Sequence, residues 1–429
     1  MKIILSLSLL LSSQALALSC SKPVTLSLPG QDANDLELIA INEKGDAVVF
    51  WLTSQEDGEK IYAATRIPEK TWTEPAALGV EEIVWKGESF IDSEGCISAC
   101  WEVEKQNQIF YKCVQKKQGM AWSPLLDVLG PEDNIISPQA AFRPDNQVIF
   151  LGTHPASLQA RVLHYFPSGE KIFHNLSDIS IYHHNSHLIT NKQGKVFACW
   201  LKDQSENKKH FGLQGAWLLE GQTWSPSTDI INIFYANGKY EHVDSVKAVM
   251  NGSGDLAFIV QNNDFETAQK TLLVILYTDS QWSAPMNMGG SRAEFYNAEI
   301  ALDDQGNVLA AWYAFENGKM VVFAAYKPQG QAWITPVSLS YPTKDVSDLK
   351  LGIDHVGNFI LLWEESQKII QGAVFSTTTQ QWSNATLSPL QQKCTSPSFV
   401  FNSKGKGIVT WTITEEERDA IQVAELNID

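Results

Sequence analysis

The chain is poor in positive charge, and in arginine above all. Its arginines are Arg66, Arg143, Arg161, Arg292 and Arg418, and 32 Lys and Arg face 49 Asp and Glu for a formal charge of −17. A field of that sign repels phosphate backbones and anionic headgroups, so no nucleic acid is expected as a partner. Long apolar runs are missing too. None reaches the roughly 20 apolar residues that a membrane helix needs, so no transmembrane segment is expected. No stretch sustains a helical apolar period. There is no Gly-rich phosphate loop and no Ser nucleophile elbow. The cysteines (Cys20, Cys96, Cys100, Cys113, Cys199 and Cys394) lack the spacing of a zinc ribbon or a small disulfide scaffold. Neither a metal nor a cofactor is therefore expected.

What is present is a repeat. Its clearest copy is Leu302-Asp303-Asp304-Gln305-Gly306-Asn307-Val308-Leu309-Ala310-Ala311-Trp312. The turn glycine recurs as Gly45, Gly95, Gly194, Gly254, Gly306, Gly357 and Gly405, with Asn146 in its place in the third copy, at intervals of 50, 51, 48, 60, 52, 51 and 48 residues. Three residues before it stands Asn42, Asp92, Asn191, Asn251, Asp303, Asp354 or Asn402 (Arg143 in the third copy). An Asx side chain bonds the backbone two residues on, and Gly takes the positive φ that closes the turn. Six residues after the glycine stands Trp51, Trp101, Trp200, Trp312, Trp363 or Trp411, with Gly152 and Val260 in the third and fifth copies. A second set, Trp72, Trp122, Trp224, Trp282, Trp333 and Trp382, opens the fourth run, usually ahead of a proline. Tryptophans at fixed repeat positions are read as packing between units.

Each copy has four short strand-like runs, in the sixth at residues 298–302, 308–313, 320–326 and 333–339. Proline cannot donate to a ladder, which makes the fourth run an edge. The last copy lacks a fourth run, and residues 23–27 near the start match the fourth run of copy six. Head and tail are expected to build one blade together and close a ring. The fold class is all-β, an eight-bladed β-propeller of four-stranded antiparallel blades in one domain, residues 18–429. A seven-bladed ring is the alternative. The Asp/Asn-x-x-Gly turn and the Trp-Ser-x-Pro run resemble the repeats of secreted bacterial β-propellers of the sialidase-like and fucose-lectin-like kind. That resemblance implies a fold rather than an activity. The Gly-to-Trp spacing differs from the sialidase Asp-box, and the scattered arginines supply no carboxylate-binding triad.

Residues 1–17 read as a signal peptide: Lys2, a short apolar core, then Ala15-Leu16-Ala17 as a cleavage site. The product is expected to be secreted or periplasmic and monomeric. Lipid anchoring through Cys20, from Ala17-Leu18-Ser19-Cys20, is the lesser alternative. Export permits disulfides. Cys100 and Cys199 share a repeat position and read as buried small side chains, while Cys96 with Cys113, and Cys20 with Cys394, are candidate pairs.

Four residues before the Asx position stand Leu38, Glu88, Gln139, His187, Lys247, Glu299, Lys350 and Ser398, all but the first polar in an otherwise apolar strand. In a propeller they would ring the channel near its mouth, the default ligand face. Glu88, Gln139, His187, Lys247, Glu299 and Lys350 are the ligand-binding candidates, and their dissimilarity argues for one asymmetric site. The insertion in the fifth copy adds Phe234, Tyr235 and Tyr240 as aromatic candidates. Six histidines fall between His154 and His187 without carboxylates at ligand spacing, and read as solvated. No catalytic residue is assigned. Paired carboxylates for glycoside hydrolysis would have to come from Glu88 and Glu299. The expected function is a non-catalytic exported propeller that binds a glycan or a protein. A sialidase-like hydrolase and an envelope-complex scaffold are the alternatives.

Overall fold

The computed structural model describes residues 16–429 except 56–57, 82, 179–182, 204–210, 220–222, 234–240, 265–268, 289–294, 317, 342–343, 367 and 416–417. Eight antiparallel sheets follow one another along the chain. Their first strands are Ala33–Ile41, Ile83–Ile91, Ile136–Phe142, His183–Thr190, Glu241–Met250, Phe295–Leu302, Val346–Ile353 and Cys394–Phe401, which open blades 1 to 8 in that order. Each first strand touches the next, and the eighth returns to the first. These strands form the inner wall of an eight-bladed propeller, and the fourth strands lie at the outer ends of the ladders.

Ring closure follows the expected route. Arg418–Ile428, the third strand of blade 8, pairs with Val24–Thr25 through Val24↔Val423 and Thr25↔Gln422. A second short strand, Leu18–Cys20, extends the ladder with Leu18↔Ile428 and Cys20↔Leu426. The two pieces differ by one residue in register, and at the break Ser21 N–H donates to Glu425 O at 2.9 Å. The closing strand thus starts earlier than residue 23 and is split.

The strand-two tryptophans pack between blades because neighbouring side chains on a strand point to opposite faces. Trp101 packs with blade 1 residues Phe50 and Ile61, whereas Cys100 packs with blade 3 residues Phe150 and Leu163. The same alternation sets Trp363 toward blade 6 and Leu362 toward blade 8. In blade 3 a side chain at Gly152 would run into Ile135, Ile136 O and Pro138, so no Trp fits; Tyr111 of blade 2 packs on blade 3 with its ring edge-on to Phe150 at 5.2 Å and its hydroxyl donating to Pro138 O at 2.6 Å. The second tryptophans also sit between blades. Trp122 lies 5.7 Å from Phe50 of blade 1, and Trp224 Nε1 donates to His164 Nε2 of blade 3 at 2.9 Å. Trp382 and Trp282 open outer-strand pairing as expected, at Phe375↔Trp382 and Tyr277↔Trp282, whereas Trp72, Trp122, Trp224 and Trp333 precede the outer strand. In blade 6 the ladder holds only Val337–Ser338, immediately after Pro336. Proline offers no N–H, so pairing starts beyond it.

The Asx turns join blade to blade. Asn251 Oδ1 accepts the N–H groups of Gly254 and Asp255 at 3.0 and 2.9 Å, while its Nδ2 donates to Asp303 O of blade 6 at 3.1 Å. Asn42 likewise reaches Asp92 O, Asn191 reaches Asn251 O, and Asn402 reaches Asn42 O across the closure seam. Gly306 has φ 85°, and Asn146 holds the same left-handed position at 62°.

One cysteine pairing differs from expectation. Cys100 bonds to Cys113, while Cys96 is free and half-buried. The strands Ile97–Lys105 and Gln108–Lys116 are joined through Gln106 and Asn107, both at positive φ (52° and 58°). That two-residue turn fixes a register in which Cys100 stands opposite Cys113. Cys20 and Cys394 share the blade 7–8 core as separate thiols, and Cys199 is a buried thiol as expected.

The belt of turns yields a mutational test. Asn251→Ala leaves buried N–H groups without an acceptor and is expected to cost about 1–3 kcal/mol. Asn251→Asp keeps the acceptor but sets a carboxylate against Asp255 Oδ2 and Asp303 O, to each of which Asn251 Nδ2 donates at 3.1 Å. Only Asn251→Asp combined with Asp255→Asn, the pairing that Asp303 makes with Asn307 in blade 6, is therefore expected to cost less. Denaturant unfolding checks the order; an Ala variant as stable as the parent would remove the turns from the account of blade registration.

Candidate functional site

Every first strand carries a register shift just ahead of the polar ring position. The shifts fall between Asp35 and Ile39, Val84 and Gly87, Ile136 and Gln139, His184 and His187, Val243 and Ser245, Tyr296 and Glu299, Ser347 and Lys350, and Thr395 and Ser398. A bulge leaves one residue unpaired and re-aims the side chains beside it. In four blades a residue within it is left-handed: Ser137 at φ 48°, Asn297 at 44°, Asp348 at 51° and Ser396 at 52°. Each lies two residues before its ring residue. The ring positions then pair with the residue before the strand-two Trp, as in Glu88↔Cys100 and Lys350↔Leu362.

The ring divides into three parts. Glu88, Gln139 and His187, from blades 2 to 4, line one chamber of about 260 Å³ together with Gly87, Tyr111, Ala140 and Leu188. The channel beside it is a cavity of about 390 Å³ between the first strands of blades 2 to 5. Lys247 and Glu299, from blades 5 and 6, form an ion pair with each other. Glu88 and Glu299 stand on opposite walls, four blades apart in the ring of eight, so the structure does not unite them as a hydrolytic pair. Lys350 is half-buried on blade 7, Ser398 is buried on blade 8, and Leu38 belongs to the blade 1–2 core. Phe234, Tyr235 and Tyr240 lie outside the described residues.

Blades 6 to 8 bring together groups the sequence did not single out. Leu349 N–H donates to the Tyr313 hydroxyl, and burial pushes that phenol up. Glu364 faces Asp348 of the blade 7 bulge and the Ser396 backbone of the blade 8 bulge. Burial first, then the Asp348 charge and hydrogen bond, push the Glu364 carboxyl up to about 7.

The histidines disperse. His164 is buried between blades 3 and 4, with its ring 5.3 Å from that of His174, and burial holds it at about 4. His187 lines the chamber. Among the described residues no cluster of three His, Cys, Asp or Glu could hold a metal ion.

At the Asx-turn end, Lys192 Nζ of blade 4 meets Glu43 Oε1 of blade 1 at 3.2 Å, a contact between blades that are not neighbours. A larger concavity lies away from the ring. It is a groove of about 1320 Å³ on the outer wall at the seam of blades 8 and 1. Arg66 is held there at 5.3 Å over Trp72 and at 2.9 Å from Glu425, and Arg418 donates to Gly30 O at 2.8 Å. Its two arginines thus serve the closure, and the chamber, where ring positions of three blades meet, is the better candidate despite its smaller size.

One tryptophan was obscured by the repeat. Of 14 tryptophans, 12 fill the two repeated positions, leaving Trp85 and Trp217. Trp217 packs 4.7 Å from Phe197, whereas Trp85 is 55% exposed in the bulge that precedes Glu88. Subtracting the repeat from the sequence would have found it.

The carboxyl pair gives a pH test. An acid whose folded-state value is raised stabilises the fold while both states are protonated, and loses that contribution as pH rises from its ordinary value toward the folded one. For Glu364 the window runs from 4.5 to about 7. Glu364→Gln is therefore expected to unfold at a higher temperature than the parent at pH 8, with the advantage gone by pH 4.5. Calorimetry at both pH values checks this; a constant gap would show that the two carboxyls do not interact.

No protein-family model and no curated protein matches this chain. Solved structures do. The polysaccharide lyase Uly1 is 10% identical with a TM-score of 0.56, over 94% of each chain. A polysaccharide lyase of the ulvan lyase kind, bound to -[GlcA(1-4)Rha3S]-, is 11% identical with a TM-score of 0.45, over 81% of this chain and 91% of its own. A sialidase from Trypanosoma rangeli is 10% identical with a TM-score of 0.35, over 67% of this chain and 54% of its own. At these identities the likeness is one of fold, as the repeat motifs led one to expect.

Proposed function

We propose that this protein is an exported propeller that binds a glycan at the channel end where the bulges lie. Glu88, Gln139 and His187 supply the polar contacts, and Lys247, Glu299 and Lys350 stand on the facing walls. The observation that carries the reading is the chamber, where three ring positions from three blades meet around one space. Carboxylate, amide and imidazole together offer donors and acceptors at close spacing, which suits vicinal hydroxyls. The polysaccharide lyase of the same fold, with a TM-score of 0.56, supports a carbohydrate ligand over a protein one. The separation of Glu88 from Glu299 favours binding over hydrolysis.

Export is part of the proposal. The Cys100–Cys113 bond fits an oxidising compartment. Cleavage after Ala17 keeps Leu18, which is buried in the blade 7–8 core and paired with Ile428. Cleavage before Cys20 for lipid attachment would remove that residue, so the soluble route is the better fit. The product is proposed to act as a monomer.

Glycan-array screening of the chain from Leu18 onward, followed by calorimetric titration of the hits, tests the reading. Gln139→Ala and His187→Ala are each expected to weaken binding at least tenfold with the unfolding temperature unchanged. Retention of no glycan alongside capture of a protein partner would overturn the proposal, and release of sugar products would move it to the enzymatic alternative.

A further inference from the structure

The chamber, its charge and the exposed tryptophan beside it narrow the class of glycan, given the binding role proposed above. We infer that Trp85 and the Glu88–Gln139–His187 chamber form a subsite for the terminal unit of a neutral or amine-bearing sugar chain, and reject acidic glycans.

Size comes first. At about 260 Å³ the chamber falls below the roughly 300–1,000 Å³ typical of sites for drug-sized ligands. It accommodates one sugar ring, not a run of them. The rest of the chain must leave along the surface or into the adjoining channel cavity of about 390 Å³.

Trp85 stands where such a chain would leave. It belongs to Ile83–Ile91 and lies in the bulge between Val84 and Gly87, whose far side opens on the chamber through Gly87 and Glu88. Its indole is 55% exposed, with Ile83 at 42% on the same strand and Ile136 at 46% at the start of the neighbouring one. Scattered exposed aliphatics are ordinary, but an exposed indole flanked by them leaves apolar surface in water that a partner would cover. A flat aromatic face with an N–H at its edge matches a pyranose, which presents C–H groups on one face and hydroxyls at its rim. The other non-repeat tryptophan, Trp217, is packed against Phe197 and Tyr277. Packing therefore accounts for Trp217 but not for Trp85.

Charge selects the sugar. Among the described residues, the chamber lining includes Glu88 and no lysine or arginine. Lys247, the nearest ring lysine in the chain, is already paired with Glu299. The whole chain carries −17. A uronate or sulfate would meet a carboxylate inside an acidic field, which lowers both its local concentration and its affinity. A hydroxyl or an ammonium group would instead meet an acceptor.

Titration of cello-, manno- and chitosan oligosaccharides against oligogalacturonates, read by tryptophan fluorescence and calorimetry, tests the inference. At least one neutral or amine-bearing series is expected to bind at least tenfold more tightly than the acidic one. Its affinity should rise little beyond two or three units. Trp85→Ala should lose at least tenfold in affinity and Trp85→Phe much less, both at the parent's unfolding temperature. Tighter binding of oligogalacturonate, or a Trp85→Ala variant that binds like the parent, would overturn the inference. If His187→Ala still weakens binding in those cases, glycan recognition at the mouth survives and only the terminal-sugar subsite fails. If no oligosaccharide binds, both fall.

Discussion

The ladder between Arg418–Ile428 and the two short strands near the start of the chain holds the ring in register. Without it blade 8 would end on an unpaired edge, and blade 1 would lose the partner that covers Trp51. The core at this seam, built on Leu26, Trp51, Tyr62, Ile421 and Val423, depends on that pairing directly. So does the outer groove, whose arginines tie the crossing segment to blade 8. A propeller blade cannot bury both its faces alone, so each interface stands only because the next one does.

Once the ring is shut, the bulges decide what the channel can do. A regular first strand would continue its alternation to the mouth. The extra residue breaks that alternation in every blade and supports the ring position from behind. Because the backbone device is the same each time, chemical variety comes from the side chain alone. The result is an acid–amide–imidazole chamber in blades 2 to 4, a lysine–glutamate pair in blades 5 and 6, and in blade 7 a Glu364 carboxyl raised by burial and by Asp348. An asymmetric set of polar groups thus arises on a scaffold that is close to symmetric.

The architecture was legible because the same constraint is written eight times. Asn or Asp, glycine and tryptophan at fixed offsets each answer to one local demand: a turn, a positive φ, an inter-blade gap. The bulges were not legible. Ser137, Asn297, Asp348 and Ser396 are not glycines and are not of one residue type, so nothing in the sequence marks them. The Cys100–Cys113 bond was missed for a related reason, since its register depends on a turn at Gln106 and Asn107 that only the second residue advertises. The polarity of the ring positions could be read from the sequence. Their division into three groups could not, because it depends on which blades stand side by side. Trp85 was hidden by the abundance of its own residue type.

The seam also constrains the order in which the molecule can be made. Val24 finds its partner in Val423, so a ribosome delivers nearly the whole polypeptide before the opening segment has anything to pair with. Until then the growing chain is an arc with two raw borders, and its earliest residues wait unpaired. Such a molecule reaches its mature shape in one late step. It stays threadable for as long as it is incomplete, which is what the proposed export through a narrow pore would require.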